Sequence, residues 1–244
     1  MTQLEALVSD PASGSAQSQR IGWSYARWHR TLADRVPNNG TALTTLERLE
    51  DRWAIDGGIS RQAVADIGHN DPVALLVASM VWGFGSVDYG PSRTADMLRV
   101  DDLESITESI VSAAQRSGAA GFGSLFENRA TRIAGLGVAM GTKLLYFAGL
   151  KHCTGEIAPL VYDLKVYNAL RQVEGGFGDA PNPRAFVSTS AYVNVVQFMT
   201  DTARRTRVSP DDVEHALFGF ETWQRRRNRL ESLRRGGLDE AHNV

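Results

Sequence analysis

AGLGVAMGTKLLYFAG, residues 134–149, is the stretch on which the reading of this chain turns. Two glycine punctuations are followed by a helix. Gly141 permits a tight turn, and Thr142 can cap the helix behind it. Lys143 then falls in the first helical turn, near the positive end of the helix dipole, which is an unfavourable place for an ammonium. The apolar residues that follow (Leu144, Leu145, Tyr146, Phe147) would hold the amine in a partly dry site. A neutral amine is what a Schiff-base nucleophile requires. Read alone, GTK is more simply a solvated lysine at a helix end.

Twenty residues after that lysine comes Asp163, in PLVYDLKVYNAL (159–170). It is flanked by apolar residues and opens a helix, so its plain role is that of an N-cap. A short loop between the two helices makes them antiparallel neighbours but does not decide whether the two side chains meet.

Upstream, DPVALLVASMVWGFG (71–85) starts with Asp at a cap and Pro at the first helical position. Val73 to Trp82 is apolar nearly all round and predicts a central buried helix, stopped by Gly83 and Gly85. Further helices are predicted over 21–32, 45–56, a short one behind Ser60, 92–97, 103–114, 186–206, and 210–235 with a break near Gly219. SGAAGFGS (117–124) and GGFGDAPNP (175–183) read as glycine-rich interruptions. Residues 1–19, small and polar, predict a flexible N-terminus. Residues 20–70 then form an N-terminal helical segment packing on a core of residues 71–244. No strand and no repeat is expected, and the fold class is all-α.

The 244 residues are 43% hydrophobic and 22% charged, an ordinary globular composition. No run of eighteen apolar residues signals a membrane helix, and no basic-then-apolar leader signals secretion. The cytoplasm, as bacterial cytoplasm or nucleoid, is the expected compartment. Cys153 is the single cysteine, which excludes an internal disulfide and a four-thiolate cluster within the chain. The five histidines show no pair at metal-ligand spacing, so neither metal nor cofactor is expected. The net charge of −2 is unevenly spread. Residues 1–120 hold ten basic and fifteen acidic side chains, and residues 121–244 hold sixteen and thirteen. A nucleic-acid footprint belongs in the second half. Only three lysines exist (Lys143, Lys151, Lys165), so amine chemistry has three candidates.

Glycine hairpin, lysine, apolar helix, loop, then V-x-D opening another helix resembles the active-site pattern of the helix-hairpin-helix DNA glycosylases. GTK with VYD is most similar to the 8-oxoguanine branch, and residues 71–98 look like that family's early buried helix and the loop beside the extrahelical site. The resemblance covers about residues 70–200. It implies two packed helical halves with the active site in the cleft between them. It also implies a monomeric enzyme acting on double-stranded DNA with a damaged base, expected to be 8-oxoguanine. Lys143 would attack C1′ and release the base, and Asp163 would steady the cation and help move protons. The imine left behind permits strand cleavage, making the enzyme a bifunctional glycosylase and AP lyase. The base must first be flipped out of the duplex.

By the same resemblance the hairpin presents backbone N–H groups to a DNA phosphate. Its candidate residues are Gly135, Gly137, Gly141 and Thr142. The glycines of AGLG lie eight and six residues before Lys143, where the family usually has about four. Either the hairpin is longer, or only Gly141 belongs to it. The β-rich domain that precedes the core in eukaryotic relatives is replaced by helical pattern, so no base-recognition residue carries over from it. Phe147, one turn after Lys143, and Trp82 are candidates for the base pocket, with core packing as the alternative. Phe84 and Tyr89 lie with Trp82 where the family places its wedge. Arg225, Arg226, Arg227, Arg229, Arg234 and Arg235 crowd the last helix, either as a solvated face or as phosphate contacts. Two other readings stay open. One is a non-catalytic helix-hairpin-helix DNA-binding module in a DNA-handling or phage-defence complex. The other is a structural helical partner in which Lys143 and Asp163 are surface charge and cap.

Overall fold

The computed structural model describes residues 1–150 and 152–240, with side chains through residue 233. Lys151 and His242 lie outside the described residues, as do the side chains of Arg234 and Arg235. The fold is all-α. Thirteen α-helices are described: α1 (Gln3–Val8), α2 (Tyr25–Arg35), α3 (Gly40–Asp56), α4 (Arg61–Ile67), α5 (Pro72–Phe84), α6 (Gly90–Met97), α7 (Leu103–Arg116), α8 (Gly118–Phe126), α9 (Val138–Gly149), α10 (Leu164–Gln172), α11 (Thr189–Thr206), α12 (Pro210–Phe218) and α13 (Phe220–Glu240). The one sheet among the described residues is an antiparallel pair, β1 (Arg20–Ile21) and β2 (Ile59–Ser60), where no strand was expected.

The helices form two packed groups. In the first, α5 is the central rod, in contact with α3, α4, α6, α7 and α9. Asp71 caps it by accepting from the Ala74 N–H at 2.8 Å, and Pro72 supplies its first turn. Every residue from Ala74 to Trp82 is buried, as the all-round apolar pattern predicts. Each such Leu or Val contributes about 1.5–3 kcal/mol by leaving water. Gly83, expected as a stop, lies inside the helix. The chain turns at Gly85, whose φ of +53° favours glycine.

The second group is α10 to α12 with α1. Residues 1–19, expected to be flexible, are packed instead: Leu4 and Leu7 are fully buried, and Leu4 N–H donates to the Glu174 carbonyl at 3.0 Å. Ala16 N–H donates to Asp212 at 2.9 Å, and Trp223 Nε1 donates to Asp10 at 2.9 Å. The small polar residues that read as frayed serve as turn caps around two buried leucines.

SGAAGFGS becomes α8, because Gly121 lets the helix press against Ala114 of α7 and Gly118 against Pro159. A Cβ at Gly121 would fall 2.8 Å from Ala114 Cα. Residues 21–24 and 186–188, expected in helices, lie outside them: Ile21 is in β1, and Phe186 is an exposed loop residue two positions before Ser188, the cap of α11. The other boundaries move by a few residues, and the break at Gly219 is present. Among the described residues no helix is long and apolar enough to cross a membrane.

Candidate active site

α9 ends the first group and α10 begins the second, so their N-terminal portions meet at the junction between the halves. α9 is longer at its start than the sequence suggests. Gly137 is its N-cap, Gly135 turns the preceding chain with φ +82°, and Gly141 and Thr142 are interior. Gly135 and Gly137 thus lie in the turn that enters α9, and Gly141 lies outside that turn. Gly141 is present for packing, since a Cβ there would fall 2.4 Å from Phe126 Cζ and 2.7 Å from Leu125 Cδ2.

Thr142 does not cap α9. Its hydroxyl accepts from the Tyr162 N–H at 3.0 Å and donates to the Tyr162 carbonyl at 3.3 Å. This two-way tie pins residues 160–163 against α9. Asp163, the next residue, caps α10: Oδ1 accepts from the N–H groups of Lys165 at 3.0 Å and Val166 at 3.2 Å.

Lys143 lies in the second turn of α9, not the first, but its side chain runs back toward the N-terminus, as long helical side chains do. Its Nζ donates to the Ala139 carbonyl at 3.1 Å and to Asp163 Oδ2 at 3.1 Å. Both side chains are nearly closed off, 6% and 13% exposed. Lys143 is therefore no surface charge. Asp163 is at once a cap and the lysine's partner, one oxygen for each. Burial would push its carboxyl up, but Lys143 and the α10 N–H groups outweigh burial and hold it below the usual carboxylate range.

Gly83 belongs to this site. A Cβ on it would fall 2.8 Å from Lys143 Cδ and 2.3 Å from Met140 Cε. The glycine keeps room for the lysine stem beside α5. Gly83→Ala should leave the fold intact, since alanine suits a helix interior. It should displace the amine and slow any Lys143 chemistry about ten- to a hundred-fold. Single-turnover rates beside unchanged thermal melts would check this.

Behind the pair lies a buried polar network that the sequence reading did not single out. Arg61 of α4 and Glu214 of α12, 3% and 1% exposed, face each other in an ion pair at 2.7 Å. The guanidinium lies over the rings of Trp82 (5.2 Å) and Tyr146 (4.9 Å). Tyr146 donates its hydroxyl to Asp211 Oδ2 at 3.2 Å. Complete burial pushes the Glu214 carboxyl up to about 7, with Arg61 opposing. The available signal was Glu214 itself, a charge on the stripe shared by Val213 and Leu217 of α12.

The remaining candidates divide. Phe147 and Trp82 pack edge-to-face at 5.2 Å and are 2% and 4% exposed; the Trp82 indole N–H has no hydrogen-bond partner among the described residues. Phe84 is half-buried with its ring edge-on to the exposed Tyr89. The arginines of α13 are partly engaged: Arg226 pairs with Asp10, Arg227 with Glu231 at 3.0 Å, and Arg225 donates to the Glu221 carbonyl. His69 Nδ1 and His152 Nε2 are brought within 3.0 Å of each other with their rings stacked, a pairing that spacing along the chain could not reveal. Among the described residues no group of three or more His, Cys, Asp or Glu is placed to hold a metal ion.

A lysine amine and a carboxylate in contact at the junction of two helical halves is the arrangement the glycosylase resemblance implies. The family described as "Putative 8-oxoguanine DNA glycosylase OGG-like protein" matches residues 14–218. The chain belongs to this family. The match extends well beyond residues 70–200, so α2 to α4 and the Arg61–Glu214 network fall within the matched unit. The chain matches no curated protein and no solved structure. Membership makes it a DNA glycosylase, and DNA its partner.

Proposed function

We propose that the enzyme excises an oxidised purine, 8-oxoguanine, from duplex DNA through a covalent lysine intermediate and then cleaves the strand as an AP lyase. The observation that carries this reading is the 3.1 Å contact between Lys143 Nζ and Asp163 Oδ2, made by two nearly buried groups. The Lys143 amine, having released its proton to solvent, bonds to C1′ as the glycosidic bond breaks. The electron pair leaves with the purine, which takes up a proton. Asp163 steadies the cationic sugar while the bond is breaking. Opening of the sugar yields a Schiff base, and loss of a C2′ proton expels the 3′ phosphate. Phe147 and Trp82, closed into the core, pack behind the site rather than stack on a base, and the Gly135–Gly137 turn would face a phosphate. The enzyme acts as a monomer.

Borohydride reduces an imine to a stable amine, so it should trap a protein–DNA adduct on duplexes carrying 8-oxoguanine or an abasic site. DNA binding with no adduct on either duplex would instead favour the non-catalytic binding module. Asp163→Asn keeps an oxygen for the α10 cap but removes the charge facing Lys143. It should slow base release by about 10²-fold or more, while DNA affinity changes less than about threefold. Equal losses in rate and affinity would reduce Asp163 to a structural cap.

A further inference from the structure

The most exposed large aromatic side chain is Phe186, at 81%. A single exposed apolar residue is ordinary on a protein surface, but this one is displayed from an anchored loop. Tyr162 donates its hydroxyl to the Pro181 carbonyl. Asn182 Oδ1 accepts from the Arg184 N–H at 2.9 Å, and the Ala185 N–H donates to the Asn182 carbonyl at 3.0 Å. Val187, the next residue, is buried, and Ser188 caps α11. The backbone on both sides is held, so the ring stands in water with a fixed base. The anchor Tyr162 is also the residue before Asp163, which ties this loop to the catalytic pair.

The loop borders an open groove of about 410 Å³ that runs to the start of α9, with Phe126, Leu136 and Val138 in its walls and Arg132 and Arg184 beside it. Both arginines are exposed, and among the described residues no carboxylate pairs with either. Arg129, in the adjoining depression around Gly135, is likewise unpaired. Glu127, the nearby acid, turns its carboxylate onto the Thr189 N–H at 2.7 Å. By contrast, Arg27, Arg35, Arg204, Arg226 and Arg227 all pair with acidic side chains. Positive charge left unneutralised beside a displayed aromatic ring matches the two surfaces of a nucleic-acid strand, phosphate and base face.

We propose that Phe186, Arg132 and Arg184 form a DNA-docking surface, the guanidinium groups taking phosphates of one strand and the phenyl ring stacking on a base left unpaired beside the lesion. This rests on the glycosylase reading in that DNA is the partner. It adds a contact outside the Lys143–Asp163 site and shifts the footprint away from α13.

The test uses the full chain and two short fluorescent duplexes, one intact and one with an abasic analogue opposite a normal base, titrated at several salt concentrations. Arg132→Ala with Arg184→Ala should weaken both duplexes and lower the slope of log affinity against log salt by about two. Phe186→Ala should keep the slope, weaken the abasic duplex about tenfold and leave the intact one nearly unchanged; Phe186→Trp should restore the preference. Unchanged affinity in the arginine and alanine variants, as expected if this groove served a protein partner, would overturn the proposal. So would an equal loss on both duplexes for Phe186→Ala, or no DNA binding by the wild type. Borohydride trapping at saturating DNA reads the chemistry separately. A wild type that binds with these slopes and preferences yet never traps leaves this surface standing and removes the lysine mechanism.

Discussion

Lys143→Gln should abolish the borohydride adduct and lower strand cleavage by about 10³-fold or more, because it removes the amine that forms the imine beside Asp163. Glutamine keeps much of the stem and can still donate toward Asp163, so DNA affinity should hold. Lys165→Gln is the internal control: its side chain lies on α10 with Nζ over the Phe218 ring at 4.3 Å, exposed and committed elsewhere. Lys151→Gln is the second control. Trapping assays and denaturing gels on the same duplex read both quantities. A Lys143→Gln protein that still forms the adduct would falsify the assignment of the nucleophile and direct attention to the other two lysines.

Arg61→Met should produce the largest loss of stability. It leaves Glu214 fully buried without its counter-charge, a change that costs about 3–5 kcal/mol. The loss should depend on pH in a defined direction. Glu214 has a folded-state pKa raised to about 7, above the unfolded value near 4.5. In that window the folded state holds a proton that the unfolded state has released, so this group lowers stability as pH rises from about 4.5 to 7. Without Arg61 the carboxyl must stay protonated to even higher pH. The denaturation midpoint of Arg61→Met should therefore fall further below wild type at pH 8 than at pH 5. Asp163 acts in the opposite sense: its depressed pKa contributes stability that is present above the usual carboxylate range and lost as acid protonates it. Adding Glu214→Leu to Arg61→Met should recover most of the lost stability, since a hydrophobic pair can replace a buried ion pair. Recovery of stability without recovery of activity would show that the network also holds Trp82 and Tyr146 in place.

Much of this protein was legible before any fold was known. Asp71-Pro72 with its apolar run named the central helix, because capping and periodicity are local properties of the chain. The all-α class and the break at Gly219 followed from the same local rules. Lys143 and Asp163 were legible as a pair through their context, and Asp163 as a cap through its own side chain. Glycines were misread wherever their purpose was packing. Gly83, Gly121 and Gly141 read as punctuation, yet each sits inside a helix because a neighbour occupies the space of a Cβ. Thr142 was likewise read as a cap, when its partner is twenty residues away.

By itself, then, the sequence determined most of the helices, their order and the two residue types that the chemistry requires, all matters settled within a few residues of chain. Only the tertiary structure decided that the amine and the carboxylate touch, that Arg61 and Glu214 are buried against each other, that Arg226 is paired and that Arg132 and Arg184 meet no carboxylate among the described residues. Those outcomes depend on which distant side chain shares a given few ångströms, and the packing of two helical halves alone assigns such neighbours.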